Sequence, residues 1–490
     1  MAQSELDRRK GWAEAAKRGP QRCFRECVSA CTNCCTTHVS PCPASRNDWR
    51  GKRSSTPPEL KVCPTPQARV PDCGVDSNTS RCANAANYCL VLFLFVSILP
   101  GCSLLPRRAA VPPSLTSKAV VIQSPGLRYW PNINLELLFK VAADSNDRER
   151  RALAMSGAQF LSFPAARFLV ISGGGDDGAF GAGLLVGWTK RGDRPAFKVV
   201  TGVSAGALIA PFAFLGPAYD EVLHDVAVSI GPNDVFHPRN LLNALLSDAF
   251  ADDAPLAAMI DRYVTSNVVA AVAEEYRKGR VLLISTTDLD SRQPVVWNMG
   301  AIAASDSPGA LKLFKQVMLA SASIPGIFSP VMIDVTVDGK PFQEMHVDGG
   351  VMTQAFLFPP HFIKGILSKG ISNRPQRILY VIRNGRVAPT WQSVARRSTS
   401  VGHRAIDALI DAQGINDLYR LEVIARDEGE DFNVAYIGDE FDFPRHKMFD
   451  SAYLHQLFMY SYRLASEGSP WRQSLPSEVT PAGSDDPSLP

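Results

Sequence analysis

A serine flanked by small residues stands where an apolar stretch gives way to a helical one. Gly202-Val-Ser204-Ala-Gly206 follows the apolar run 197–201 and precedes the helix-like run 207–215. A tight turn from strand to helix would push the serine hydroxyl outward, and the flanking glycines would let the two elements pass closely. The helix N-terminus would add free N–H groups and a partial positive charge. The pattern predicts a nucleophilic Ser204, with an ordinary structural turn as the alternative.

A glycine-rich loop follows an earlier apolar run and could offer backbone N–H groups to a ligand. Gly173-Gly174-Gly175-Asp-Asp-Gly178 stands between the run 167–171 and a second helical stretch. A dinucleotide site would need an acidic residue about 20 positions further on, and a phosphate-binding loop would need Gly-Lys-Ser/Thr. The sequence has neither. The remaining interpretation is an oxyanion hole, in which glycines let N–H groups approach a developing alkoxide.

An aspartate followed by two glycines forms the third motif. Asp348-Gly349-Gly350 ends a short apolar run that begins at Met345. Open α/β sheets place their functional sites beyond the carboxyl ends of the strands. The motif therefore places a carboxylate in such a crevice, although an Asp-Gly pair on its own is also a common turn.

These motifs need a scaffold, and the surrounding pattern indicates an α/β fold. From Arg167 onward, short apolar runs alternate with helical patterns, which is typical of a largely parallel sheet covered by helices. A buried helix face is indicated by Leu256, Met259, Ile260, Tyr263 and Val264, and a final helix over 452–465 ends before Gly468. The predicted strands are 167–171, 197–203, 280–286, 345–348, 377–382 and 432–437.

The three motifs, in this order and spacing, resemble the patatin-like phospholipase family. Residues 280–297 are similar to the family's central strand and hairpin, and residues 319–330 to its Ala-Ser-x-x-x-Pro segment. The resemblance covers roughly residues 166–360. It implies a three-layer α/β sandwich, with a mostly parallel central sheet and helices on both faces.

The resemblance also implies a Ser–Asp dyad that needs no histidine, metal or organic cofactor. Ser204 would attack the ester carbonyl of a lipid, Asp348 would take its proton, and the loop Gly173–Gly175 would stabilise the oxyanion. The implied activity is a phospholipase A or lysophospholipase acting on membrane lipid or another fatty-acyl ester. Two positions depart from the family pattern. Asp177 replaces the usual Arg or Lys, and Gln354 is a loose substitute for an Asn.

Two other functions stay open at this point. The charge reversal at Asp177 would suit a catalytically weak, lipid-binding protein that keeps the fold. A Ser-Asp-His hydrolase would also fit the chain order, because four histidines follow Asp348. His346 precedes Asp348 by two residues, so on a strand both side chains would face the same side. The histidines after the aspartate are His361, His403, His446 and His455.

Three apolar segments could line an acyl pocket beside these motifs. They are 207–215, 324–331 and 356–363. A hydrophobic core would use the same residue types, and core is the plainer interpretation for most of them.

Charge and cysteine usage divide the chain near residue 100. Residues 1–86 carry 14 Lys/Arg and 8 Asp/Glu, whereas the remainder is slightly acidic and has no basic pattern typical of nucleic-acid binding. All 11 cysteines lie at or before Cys102, so the body uses neither disulfides nor thiolate metal ligands. Residues 1–86 are predicted to be disordered or absent from the mature protein, with a zinc-binding cysteine cluster as the alternative. That cluster would be Cys23, Cys27, Cys31, Cys34, Cys35 and Cys42.

The apolar run 88–99 predicts export from the cytoplasm. It is shorter than the about 20 residues that span a bilayer, but it suits the core of a signal peptide. Leu99-Pro-Gly-Cys102 follows and resembles the lipobox of bacterial lipoproteins, in which the cysteine becomes the lipidated first residue. We therefore expect residues 87–102 to be a signal peptide with its cleavage site, or else an uncleaved membrane anchor. Ser103 favours the outer membrane by analogy with lipoproteins.

The rest of the chain divides by composition. Residues 103–165 are predicted as a linker, 166–360 as the catalytic domain and 361–470 as a C-terminal continuation of the α/β body. The Pro/Ser-rich end, 471–490, is predicted to be a disordered tail.

Overall fold

The computed structural model describes residues 107–131, 135–156, 165–228, 231–235, 237–238, 251–357 and 376–476. The predictions for residues 1–86, for the signal segment 87–102 with Cys102, and for His361 lie outside these ranges.

A nine-stranded sheet forms the centre of the described part of the chain. Its strands follow the order β1-β7-β6-β3-β2-β10-β11, and β9 pairs with both β6 and β8. A separate two-stranded sheet joins β4 and β5. The strands are β1 (Arg128–Tyr129), β2 (Ala166–Ile171), β3 (Val199–Gly202), β4 (His237–Pro238), β5 (Ala251–Asp252), β6 (Val281–Asp288), β7 (Gln293–Asn298), β8 (Val331–Val337), β9 (Lys340–Asp348), β10 (Arg377–Arg383) and β11 (Asp431–Tyr436).

The direction of the strands changes at β6. Strands β6, β3, β2, β10 and β11 run parallel, as the alternating strand-helix pattern predicts. Strands β1, β7, β8 and β9 pair antiparallel, so the sheet is mixed on this side. All six predicted strands are present and the α/β class is confirmed, but "mostly parallel" holds only for the half of the sheet beyond β6.

Helices cover both faces because alternate strand residues point to opposite sides. Leu169 and Ile171 of β2 join one apolar cluster, whereas Phe168 and Val170 join the other. The first cluster includes residues of α2, α3, α9 and α11, and the second includes residues of α1 and α10. The helices are α1 (Leu135–Met155), α2 (Gly178–Arg191), α3 (Ala205–Leu215), α4 (Asp220–Val228), α5 (Pro232–Val235), α6 (Ala254–Tyr263), α7 (Ser266–Arg277), α8 (Met299–Ala303), α9 (Ala310–Ala322), α10 (Ser398–Glu428) and α11 (Ser451–Glu467).

The segments predicted as a linker with modest helical content near 135–141 and as a disordered tail both pack against this body. Strand β1 pairs with β7, and Leu127 and Trp130 are buried, so the linker prediction for 103–165 is wrong for its described residues 107–131. Helix α1 likewise buries Leu138. At the other end, Val434 and Arg472 exchange two backbone hydrogen bonds of 2.8 and 2.9 Å, so the disordered-tail prediction is wrong for residues 471–476. In both cases a short segment gains order from a distant strand, which its own composition does not reveal.

Within the described ranges, no single helix is both long and apolar enough to cross a bilayer. Taken together across their 63° bend, α6 and α7 meet the same criterion by length and composition alone.

Candidate active site

Ser204 occupies a strained turn between β3 and α3. Its backbone has φ 54° and ψ −125°. A side chain at positive φ costs on the order of 1–3 kcal/mol, and such strain recurs at functional sites. Ser321 on α9 holds the turn: its Oγ accepts the Ser204 N–H at 3.0 Å and donates to the Ser285 carbonyl at 2.7 Å. The elbow is therefore braced by a helix and by β6, through a residue to which the sequence analysis assigned no role.

The glycines around Ser204 are required by the close approach of α3 to β3 at Gly202 and to the end of β2 at Gly206. A Cβ on Gly202 would lie 2.4 Å from the Gly206 carbonyl oxygen, and one on Gly206 would lie 2.3 Å from the Ile171 carbonyl oxygen. Backbone atoms cannot rotate away as a side chain can. The predicted reason for small residues at these two positions is confirmed.

Asp348 lies at the end of β9, where that strand pairs with β6. Its backbone N–H donates to the Ser323 carbonyl at 2.9 Å, and its Oδ1 accepts the Gly350 N–H at 2.7 Å. Burial raises the pKa of Asp348 to about 7, a rise that the Ser204 hydroxyl and the Gly350 N–H partly oppose. No hydrogen bond of standard geometry reaches Oδ2, which has no partner among the described residues. Because the Ser204 hydroxyl lowers the pKa of Asp348 as a hydrogen-bond partner, Ser204 lies within reach of the Asp348 carboxyl group.

The glycine loop lies against the elbow. A Cβ on Gly173 would approach the Ser204 Cβ to 3.1 Å, and one on Gly174 would lie 1.9 Å from the Asn384 carbonyl oxygen. The Gly173 N–H, however, donates to the Gln354 carbonyl at 3.1 Å. The prediction that all three glycines supply oxyanion donors is therefore wrong for Gly173 in this conformation. The N–H groups of Gly174 and Gly175 are the candidates.

Gln354 connects the loop to the aspartate motif. Its Nε2 donates to the Gly350 carbonyl at 3.3 Å, while its own carbonyl holds the Gly173 N–H. A Cβ on Gly173 would lie 2.3 Å from Oε1, and one on Gly350 would lie 2.3 Å from Nε2. Asp417 on α10 fixes the Gln354 backbone N–H at 2.7 Å. The Gln354 amide thus fills the space left by the missing side chains of Gly173 and Gly350. Gln354 fits this position closely, although the sequence analysis described it as a loose substitute for an Asn.

A cavity of about 80 Å³ opens beside Ser204 and has almost entirely apolar walls. Leu208 and Ile209 of α3 line it, as do Ile324 and Phe328 from the segment after α9. The segments 207–215 and 324–331 thus both reach the cavity beside Ser204, whereas the described start of the third segment does not, because Phe356 packs in the cluster on the other face of the sheet. That this cavity holds an acyl chain stays a prediction.

Comparison with known families decides the identity of this region. Residues 169–358 match the family model described as patatin-like phospholipase. These residues form a patatin-like phospholipase domain. The resemblance inferred from the motifs is confirmed, and the family implies lipid acyl hydrolase activity. Within the described residues, the patatin-like domain and its surroundings contain no cluster of His, Cys, Asp and Glu suited to a metal ion.

Two solved structures are similar to the chain at low identity. VipD from Legionella pneumophila is 12% identical over 64% of this chain and 68% of its own, with a TM-score of 0.28. The type III effector protein ExoU is 13% identical over 62% of this chain and 54% of its own, with a TM-score of 0.23. No curated protein sequence matches the chain significantly.

Asp176 and Asp177, just before α2, have partners that lie outside the patatin-like domain. Asp176 Oδ1 accepts from Arg445 at 2.8 Å, and Asp177 Oδ1 accepts the Tyr453 hydroxyl at 2.6 Å. Burial and the neighbouring Asp176 raise the pKa of Asp177 to about 6, while Tyr453, Arg445 and Arg383 oppose the rise. Positive charge from the C-terminal part of the chain therefore offsets the charge reversal at Asp177.

His346 belongs to a buried polar network, and its described hydrogen-bond partners do not include Ser204 or Asp348. Its Nδ1 lies 2.9 Å from Thr286 Oγ1, and its Nε2 lies 3.1 Å from Glu344 Oε2. Trp297 Nε1 donates to the same threonine hydroxyl at 2.8 Å, and Arg128 makes a two-pronged pair with Glu344. The simplest assignment puts the imidazole proton on Nε2, so that Nδ1 accepts from Thr286. Both ring nitrogens are then used.

The described histidines that follow Asp348 are on the surface. His403 lies on α10 beside Asp407 at 2.9 Å, His455 is exposed on α11, and His446 is exposed before it. None of these three is buried as a triad histidine beside Ser204 would be.

Changing His346 to alanine should destabilise the fold without removing the chemistry. The change leaves a cavity and an unmatched Thr286 hydroxyl, which together cost about 2–4 kcal/mol of unfolding free energy. The turnover number per intact active site should stay within about tenfold of wild type. Urea unfolding and turnover normalised by fluorophosphonate titration measure the two effects. A thousandfold loss in folded protein would make His346 a catalytic base.

Proposed function

We propose that the chain is a serine acyl hydrolase that cleaves carboxylic ester bonds of lipids, of the phospholipase A or lysophospholipase type. One observation carries the proposal: Ser204, on a strained elbow at an apolar cavity, lies within hydrogen-bonding reach of the buried Asp348 carboxyl group. Nucleophile, base and acyl site are then adjacent, as ester hydrolysis requires.

In the first half of the proposed reaction, Ser204 Oγ attacks the ester carbonyl carbon while its proton moves to Asp348 Oδ2. The carbonyl oxygen gains negative charge, which the N–H groups of Gly174 and Gly175 stabilise. The tetrahedral intermediate collapses as the C–O bond to the leaving alcohol breaks. Asp348 returns the proton to that alcohol, and the acyl group remains on Ser204.

In the second half, water attacks the acyl-enzyme and gives its proton to Asp348. The Ser204 C–O bond then breaks, Asp348 returns the proton to Ser204, and the fatty acid leaves. A carboxyl with a pKa near 7 suits both directions, because its proton affinity is close to the working pH. The chain's own residues complete the cycle, so the proposal includes no cofactor.

A catalytically weak lipid-binding protein is the second candidate function. It is favoured by the adjacent carboxyl groups of Asp176, which is buried, and Asp177, which is half-buried; both follow the loop that would stabilise an oxyanion. The ion pair of Asp176 with Arg445 reduces that repulsion. A Ser-Asp-His hydrolase receives no support from the described histidines.

A lipid panel separates the two candidates. The full chain is incubated with phospholipids, lysophospholipids and neutral esters in mixed micelles, and products are identified by mass spectrometry. Release of fatty acid with a matching lyso- or glycerophospholipid supports the hydrolase. Binding to the micelles with no release above the rate of heat-inactivated protein supports the lipid-binding alternative.

We also propose that the protein is tethered to a bacterial membrane outside the cytoplasm, through a lipid on Cys102. The apolar run 88–99 and the lipobox-like sequence that ends at Cys102 support this, and Ser103 favours the outer membrane. The full chain expressed in a bacterium should partition into detergent and carry a diacylglyceryl group on Cys102. Cys102→Ser should lose that mass. Intact residues 1–86 on the membrane-bound wild-type protein would instead indicate an uncleaved anchor.

A further inference from the structure

The residues before α11 pass beside the glycine loop, and we call residues 443–450 the strap. Asp176 holds the strap from the catalytic side with both of its carboxylate oxygens. Oδ1 accepts from Arg445 Nη1 at 2.8 Å, and Oδ2 accepts the Phe449 backbone N–H at 3.2 Å. Asp176 is buried, so these two bonds satisfy a carboxylate that would otherwise be desolvated at a cost.

The strap is also fixed at its far end. Asp450 caps α11 by accepting the Ala452 N–H at 3.1 Å, and it accepts the His446 N–H at 3.4 Å. In the first turn of α11, the Tyr453 hydroxyl donates to Asp177 Oδ1 at 2.6 Å. The strap is therefore pinned to the two acidic residues that follow Gly175.

Phe449 is turned inward within this strap. Residues 443–448 are exposed, whereas Phe449 is half-buried and lines the cavity that also contains Ser204. Its backbone has φ 52°, a conformation that non-glycine residues rarely adopt. Strain of this kind persists only where the surroundings over-determine it, as the Asp176 contacts do here.

We propose that Phe449 determines which acyl chains the enzyme accepts, because its ring forms a wall of the pocket. This inference rests on the proposed acyl hydrolase function of Ser204. Phe449 lies outside the segment 169–358 that matches the family model, and so does Leu454, which lines the same cavity. The acyl pocket is thus completed by the C-terminal part of the chain, and the ring limits the space open to a long chain.

The test compares acyl-chain preference across Phe449 variants of the full chain. Nitrophenyl esters from butyrate to palmitate are assayed, with rates normalised to active sites titrated by a fluorophosphonate. Phe449→Ala should raise the ratio of kcat/KM for palmitate over butyrate at least tenfold relative to wild type. Phe449→Trp should shift the ratio the other way, which keeps the test valid if the alanine variant does not fold. Phe443→Ala, on the same strap but exposed, is the matched control and should leave the ratio unchanged.

The outcomes distinguish this inference from the proposed function. If wild type is active and the Phe449 variants change all chain lengths in parallel, the ring has only a structural role and the inference fails. It fails equally if Phe443→Ala shifts the ratio as much as Phe449→Ala does. If wild type hydrolyses none of the esters, the proposed function itself fails, and the inference with it.

Discussion

Changing Ser204 to alanine should lower ester hydrolysis at least a thousandfold and leave the fold in place. The hydroxyl is the proposed nucleophile, and alanine offers no group that could replace it. A thousandfold loss corresponds to about 4 kcal/mol of transition-state stabilisation. The melting temperature should change little, because the elbow is held by the Ser204 backbone N–H, which alanine retains.

Ser285→Ala is the matched control for this change. Ser285 is also a buried serine near the site, but its hydroxyl has no hydrogen-bond partner among the described residues. Its removal should therefore leave activity within about threefold. A fluorophosphonate probe, followed by peptide mass spectrometry, should label Ser204 in wild type and in Ser285→Ala. A Ser204→Ala protein that retains activity or labelling would remove this residue from the mechanism.

Changing Asp348 to asparagine should abolish turnover and, at alkaline pH, make the protein more stable. An amide cannot accept the Ser204 proton, so the expected loss of rate is again a thousandfold or more. In wild type, kcat/KM should rise with pH through a single ionisation near pH 7, because only the deprotonated carboxylate acts as base. This rise of kcat/KM with pH should persist when the surface histidines His403, His446 and His455 are replaced together.

The stability effect follows from the same raised pKa. In the folded protein the pKa of Asp348 is about 7, against an ordinary value of 3.8, so between these values the folded state holds a proton that the unfolded state releases. The stabilisation from that proton is complete below about pH 4 and is lost as pH rises through about 7. Three units of pKa correspond to roughly 4 kcal/mol. Asp348→Asn removes this dependence, so it should exceed wild type in unfolding free energy at pH 8 by a few kcal/mol.

Urea unfolding at pH 5 and pH 8 measures this difference. The gain of Asp348→Asn over wild type should be larger at pH 8 than at pH 5 by roughly 3 kcal/mol, because about two pKa units of the stabilisation are lost between pH 5 and pH 7. Ser204→Ala serves as the control, since it is equally inactive but keeps the buried carboxylate and should show no gain at pH 8. A pH-independent difference between Asp348→Asn and wild type would mean that Asp348 does not titrate near neutrality.

Local sequence patterns determined the strands of the sheet and pointed to the residues of the proposed dyad. The strand predictions succeed because fully buried parallel strands read as short apolar runs, such as β2 and β3. Gly202 and Gly206 reveal the elbow because no other residue fits where two backbones touch. Ser204 follows from the strand rule, since it stands just beyond β3, at the carboxyl edge of the parallel strands. Asp348 ends β9, which runs antiparallel to β6, so its position opposite Thr286 at that edge was not implied by the rule.

Only the tertiary structure decided which partners these residues have. The Gly173 N–H is taken by Gln354, whose backbone N–H is fixed by Asp417, 63 positions later. The two ring nitrogens of His346 contact one residue each, Thr286 and Glu344. Chain order and strand alternation had left open whether His346 contacts Ser204 or other residues. Such contacts join residues far apart in sequence, and spacing within one motif carries no information about them.

The same limit explains the segments whose role was misjudged. Residues 107–131 resemble a linker because they contain little regular structure, yet Arg128 forms a buried pair with Glu344 of β9. Phe449 follows the exposed residues 443–448 of the strap. No periodicity in the sequence indicates that it lines the cavity beside Ser204. In both cases the free energy that orders the segment comes from a distant surface. Sequence motifs indicate which chemical groups a backbone turn can present. The packing of segments remote in sequence decides the shape of the pocket around those groups.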